Sequence, residues 1–177
     1  MSEKSKKPVF ILIAAISLDG KITAGSKKGS EWTSKEDRKW FQAELDRSDA
    51  VIMGRKTFDA IPRPLTVRNR IVFSHKKTFQ HSGECPNIFS GGKSDLLRLI
   101  VSKKWKRCAV VGGTSVYQWF LERNLINEMS LTVEPVIFGS GKLLTENSIL
   151  TKLNFTLQSV KNLNAKGTLL VHYKSND

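Results

Sequence analysis

Residues 31–41, "EWTSKEDRKWF", set an acid, Asp37, beside two aromatic residues, Trp40 and Phe41. Ser34, three residues earlier, makes a capping box with it, and the dipole of a helix favours a carboxylate in its first turn. That arrangement is purely structural. A carboxyl walled by aromatics and partly desolvated has a second use, because its raised pKa suits an acid that passes a proton near neutral pH. Two glycine turns supply a different chemistry. "VVGGTSVY" (110–117) and "MGRKTF" (53–58) each put glycine after an apolar strand-like run, where backbone N–H groups face outward and no Cβ blocks a phosphate. Neither has the full G-x-G-x-x-G spacing of a dinucleotide fingerprint. A Gly-Gly turn also serves tight strand-to-helix packing alone. "SHKK" after "RIVF" adds Ser74, His75 and Lys76, a hydroxyl beside cations of the kind a ribose 2′-phosphate requires. Two glycine turns at neighbouring strand ends favour a pyrophosphate-bearing cofactor over either turn alone.

The elements that must position these groups are legible from periodicity. Short β-rich runs lie at 9–16, 50–53, 70–73, 87–89 and 108–111, and the spacing predicts helices over Ser34 to Arg47, a short one after Met53 through Ala60, and others over Ser94 to Lys103 and Thr114 to Arg123. Such alternation predicts an α/β fold, a mainly parallel central sheet with helices on both faces. After Asn124 three strand-like runs, "EMSLTVEPVIFG", "LNFTLQSVKNL" and "GTLLVHYK", follow with no helix between them. They are expected to add antiparallel strands at one edge, closing with a C-terminal hairpin. In this class ligands bind outside the carboxyl ends of the strands, which directs attention to "SLDGKI", "MGRKT" and "VGGTS".

With 177 residues and 40% hydrophobic content, the chain suits one core. Residues 1–8 read as a basic flexible N-terminus and 9–177 as a single domain. No apolar run approaches a membrane span and no secretory signal is recognisable, so a cytoplasmic protein is expected. Cys85, Cys108 and the histidines at 75, 81 and 172 form no ligand cluster, and no metal is expected. The formal charge of +13 attracts polyanions. Its lysines and arginines, however, fall in separate clusters with no nucleic-acid module around them.

Trp32 to Ser74 resembles dihydrofolate reductase. "WTSKEDRKWF", "VIMGRKTFDAIPRPL" and "RNRIVFS" match that family's successive motifs, and "VVGGTSVY" and "LTVEP" fall in the expected order. The resemblance runs from Val9 to about Gly141, and more loosely through the final hairpin. It implies the dihydrofolate reductase-like fold and NADPH-dependent reduction of 7,8-dihydrofolate to tetrahydrofolate. It also implies roles. Asp37 becomes the buried acid that binds the pterin and assists protonation at its N5, Thr132 its hydroxyl partner, and Trp32 the holder of a nearby water. Phe41, Ile61 and Ala15 would border the substrate slot, and Arg68 would meet the α-carboxylate of the folate glutamate with a planar guanidinium. Gly54, Arg55, Lys56 and Thr57 would line the cofactor, with Ser74, His75 and Lys76 around its adenosine phosphate. Gly112 and Gly113, paired glycines that the family usually joins by a cis peptide, would lie with Thr114, Ser115 and Val116 against nicotinamide and pyrophosphate.

Other residues resemble a second group. "SLDGKI" and "PLTVR" look like the reductase domain of riboflavin biosynthesis, which shares the fold and acts on a ribosylaminopyrimidine phosphate, so that Arg68 would meet a phosphate instead. The acidic "DDP" common before its "LTVR" is replaced here by "IPRP", and Glu31 stands where dihydrofolate reductases often carry proline before the tryptophan. Either resemblance implies a small-molecule substrate and a monomer or homodimer. A reductase-like scaffold that binds nucleic acid without turnover is the third possibility, marked by salt-steep binding and no cofactor affinity.

Overall fold

The run Val9–Ser17 (β1) is apolar at nearly every position and is buried on both faces, as a strand in the middle of a covered parallel sheet must be. The computed structural model describes residues 7–24, 31–60, 69–75, 86–146 and 152–176. Around β1 it assembles α1 (Lys35–Asp46), β2 (Ala50–Gly54), α2 (Arg55–Ala60), β3 (Arg70–Phe73), β4 (Asn87–Phe89), α3 (Lys93–Ser102), β5 (Arg107–Val110), α4 (Thr114–Glu122), β6 (Glu128–Glu134), β7 (Phe155–Asn162) and β8 (Leu169–Ser175). These form one eight-stranded sheet in the order β4-β3-β2-β5-β1-β6-β8-β7. The fold is the α/β, mainly parallel architecture expected, with the helices and the first five strands within about two residues of their predicted bounds.

One expectation needs correction. The first of the three C-terminal runs is not antiparallel: β6 pairs with β1 in parallel, Ala15 opposite Thr132 and Ser17 opposite Glu134. Its connection from β5 passes through α4, so it completes a helical crossover and continues the parallel set. Only β7 and β8 run antiparallel, and β8 lies between β6 and the edge strand β7.

Alternation along β1 divides the core. Phe10, Leu12 and Ala14 pack with Leu96 and Ile100 of α3 and with Tyr117 and Phe120 of α4. Ile11 and Ile13 face the other way, with Val51, Met53, Val72 and Ala109, under Leu45 of α1 and Phe58 of α2. Ala15 and Thr132 follow the second periodicity onto the α1 face. Tyr117 bridges the layers, its hydroxyl donating to the Ile13 carbonyl at 2.6 Å; burial pushes its pKa up. Tyr117→Phe should cost about 1 kcal/mol in denaturant unfolding with the secondary structure unchanged. No helix among the described residues is long and apolar enough to cross a membrane.

Candidate active site

The carboxyl ends of β1, β2, β5 and β6 bring Ser17, Gly54, Val110 and Glu134 to one edge of the sheet. Asp37 reaches this edge from the first turn of α1 and is 7% exposed. Desolvation raises its pKa, and repulsion from Glu134 adds to the rise. The Thr132 and Thr33 hydroxyls beside it, and the Arg38 charge, act in the opposite sense. Although Thr132 lies near enough to act on Asp37, its Oγ1 is buried without a protein partner in hydrogen-bonding geometry, and so is Trp32 Nε1. Trp32 Nε1 is a buried donor without an acceptor, and the Thr132 hydroxyl has only the Asp37 carboxyl beside it, an arrangement that suits a polar ligand or water.

The capping box forms by halves. The Asp37 N–H donates to Ser34 Oγ at 3.1 Å. The reciprocal bond, from the Ser34 N–H, goes instead to Glu134 Oε1 at 2.7 Å. Asp37 is thus not needed to close its own helix, and its carboxyl remains with the two threonines.

The second half of the site is a glycine cradle between β2 and α4. The Gly54 N–H donates to the Gly112 carbonyl at 2.7 Å, and the Gly112–Gly113 peptide is cis. A Cβ on Gly54 would come within 3.2 Å of Val116 Cγ2, and one on Gly112 within 3.2 Å of the Tyr117 hydroxyl. Gly113 caps α4 without a side chain, while the Val116 and Tyr117 amides return to its carbonyl. The Thr114 and Ser115 amides, in the first turn, have no intrahelical acceptor. Close-packed backbone ending in open N–H groups at a helix start fits a pyrophosphate.

The profile of the RibD C-terminal domain family matches residues 8–169. The chain belongs to that family. It is an oxidoreductase of the RibD C-terminal domain class, similar at 40% identity over 114 residues to dihydrofolate reductase of Haemophilus influenzae, a match covering 64% of this chain and 66% of that one. In fold it is similar to a putative riboflavin biosynthesis protein from Shewanella, with a TM-score of 0.78, 22% identity, and 96% and 99% of the two chains covered. It is also similar to dihydrofolate reductase from Enterococcus faecalis complexed with NADP(H), with a TM-score of 0.70, 19% identity, and 97% and 98% covered.

Within this RibD C-terminal domain the anticipated residues divide. Asp37, Thr132, Ala15 and Trp32 lie on or beside the α1 face of the sheet, and Phe41 packs half-buried with Trp40 against that face's core. Trp32 stacks edge-on to Phe138 at 5.0 Å. Thr57 neighbours Gly113, its Oγ1 in ordinary contact distance of where a Cβ would stand. Thr114 spends its hydroxyl on the Leu143 carbonyl at 2.8 Å, so its amide alone is open to a ligand, and Val116 packs over Gly54. Ser115 and Lys56 are exposed. Arg55 pairs with Asp59 at 3.3 Å on the surface, a weak bridge that an anion can displace. Ser74 and His75 follow β3, with the Ser74 amide donating to the Phe89 carbonyl. Ile61, Arg68 and Lys76 lie outside the described residues, as does Cys85. Cys108 is buried, its pKa pushed up to about 12 by desolvation.

Sequence reasoning missed Thr33, Glu134 and the structural use of Asp19. The Asp19 carboxylate accepts from Ser17 Oγ at 2.6 Å and from the Phe138 and Gly139 amides at 3.2 and 2.9 Å, which draw its pKa down. It ties the loop after β1 to the loop after β6. The signal for Glu134 was present in "SLTVE", where Ser130, Thr132 and Glu134 alternate with apolar residues and so share one face of β6.

Proposed function

We propose that this protein reduces 7,8-dihydrofolate to tetrahydrofolate, with NADPH as the reductant. The observation that carries the reading is Asp37: a buried carboxyl of raised pKa, beside a threonine hydroxyl with no other partner, at the carboxyl edge of the sheet. A pterin presents a donor-rich ring edge that a carboxyl can hold, and an imine nitrogen that must gain a proton as the adjoining carbon gains hydride. Bound NADPH would supply the hydride. The chain's part is to orient and to protonate: Asp37 and Thr132 hold the ring edge, Trp32 Nε1 positions a water, and Phe41 and Ala15 limit solvent access. Gly54, Gly112, Gly113 and the open amides of Thr114 and Ser115 would hold the cofactor's nicotinamide and pyrophosphate.

A second reading, reduction of a ribosylaminopyrimidine phosphate, is favoured by "SLDGKI" and its Asp19 tether, and by the family match. The two are separated by following NADPH oxidation with dihydrofolate and the pyrimidine phosphate offered in parallel. Turnover on dihydrofolate supports the first reading; turnover on the pyrimidine phosphate alone replaces it with the second. His75 and Lys76 are assigned to the adenosine phosphate. Replacing both with alanine should lower the preference for NADPH over NADH by about tenfold or more, read as the ratio of kcat/KM values, and an unchanged ratio removes them from the phosphate site.

A further inference from the structure

We infer that Glu134 is a positioning residue for Asp37, releasing that acid from its own helix cap and holding it toward the substrate. The inference rests on the proposed role of Asp37. Its geometric basis is the divided capping box. A carboxylate three residues after a serine N-cap ordinarily turns back to the N-cap amide, and an Asp37 carboxyl occupied in that way would be withdrawn from Thr132. Glu134 takes that amide instead, on Oε1 at 2.7 Å, from β6. The carboxylate then lies at the positive end of α1, where a negative charge is favoured.

Glu134 is itself firmly placed. It is 4% exposed, and its Oε2 accepts from the Thr168 hydroxyl at 2.7 Å. Thr168 accepts in turn from Asn164 Nδ2 at 2.9 Å, which also reaches Glu36 Oε2 at 3.2 Å. The turn between β7 and β8 thereby locks the residue that locks α1. Among the described residues Glu134 has no cationic partner; both of its oxygens are satisfied by neutral donors. A neutral side chain would fill the same place without the desolvation cost of a buried charge, so the carboxylate is explained by what it does to its neighbours.

Among the described residues, helix α1 contributes Lys35, Glu36, Asp37 and Arg38 to the charged groups around Glu134, and the β7–β8 turn contributes Lys166. The adjoining end of β8, at Leu169 and Leu170, is apolar. The Glu134 charge opposes ionisation of Asp37, and the Arg38 charge favours it.

Two variants test the inference, with two readouts. Glu134→Gln keeps the shape and an acceptor oxygen for the Ser34 amide but removes the charge; Glu134→Ala removes both. The first readout is the titration of the Asp37 carboxyl carbon by NMR in the chain without ligands, which does not depend on turnover. The expected result is a shift of that titration to lower pH in Glu134→Gln, with the alkaline limit of kcat moving in the same direction. In Glu134→Ala, kcat for dihydrofolate should fall by about tenfold or more, a typical penalty for a misplaced catalytic group, with NADPH affinity unchanged and most of the loss recovered in Glu134→Gln. An unmoved Asp37 titration in Glu134→Gln overturns the inference, even if the alanine variant fails to fold. Failure of the Asp37 role is recognised separately, by undiminished turnover in Asp37→Asn.

Discussion

Asp37→Asn should reduce dihydrofolate turnover at pH 7 by about two to four orders of magnitude, the usual worth of a positioned proton donor, while leaving NADPH affinity close to wild type. Asparagine preserves the size of the side chain and an oxygen beside Thr132, but it has no acidic proton to give. On the role proposed for Asp37 the productive form is the protonated carboxyl, so kcat should fall as pH rises through the raised pKa, and that limb should be absent from the variant. Stability should move the other way. The folded chain binds the Asp37 proton more tightly than the unfolded chain, because desolvation raises the folded-state value. The unfolding free energy therefore declines as pH rises from the ordinary carboxyl range through the raised one. Asparagine escapes that decline. Asp37→Asn should thus have the higher Tm above this window, and the difference should vanish at pH values below the ordinary carboxyl pKa. A variant that is slower and yet more stable cannot owe its slowness to unfolding; equal turnover would remove Asp37 from the chemistry, and a lower Tm at neutral pH would contradict its buried, raised state.

The same residue marks the limit of what could be read before the structure. The helix around Asp37, the strands of the parallel sheet and the two glycine turns follow from local pattern, because periodicity and turn chemistry act over a few residues. Whether Asp37 caps its helix or serves a site does not. Both uses put an acid in the first turn, and the choice depends on Glu134, a hundred positions from Ser34 along the chain. The direction of β6 was misjudged for a related reason. It was grouped with the two runs that follow it, whereas its pairing is set by the α4 crossover that precedes it. Asp19 stood in the sequence only as part of "SLDGKI", and its role lies in amides at 138 and 139. What sequence hid, for Asp37 and Asp19 alike, was a polar group whose partner is remote.

Gly112→Ala is expected to be the most damaging change in the cradle, for two independent reasons. Its φ is +115°, a conformation that L side chains rarely adopt, and its new Cβ would meet the Tyr117 hydroxyl at 3.2 Å and ring carbon Cζ at 3.3 Å. The tyrosine has little freedom to yield, because it is buried and its hydroxyl is committed to the Ile13 carbonyl at 2.6 Å. Backbone strain and overpacking each cost about 1–3 kcal/mol, so thermal or denaturant unfolding should register a loss of roughly 2–5 kcal/mol. The neighbouring glycine provides the contrast. Gly113 has φ −82°, and a Cβ there would meet only Thr57 Oγ1, at an ordinary 3.5 Å. Gly113→Ala should therefore stay within about 1 kcal/mol of wild type in stability, yet weaken NADPH binding by filling space beside the open amides of α4. If Gly112 tolerates alanine as well as Gly113 does, the strain at that turn is not what the backbone indicates; if Gly113→Ala binds NADPH like the wild type, the cradle is a packing device and the cofactor lies elsewhere.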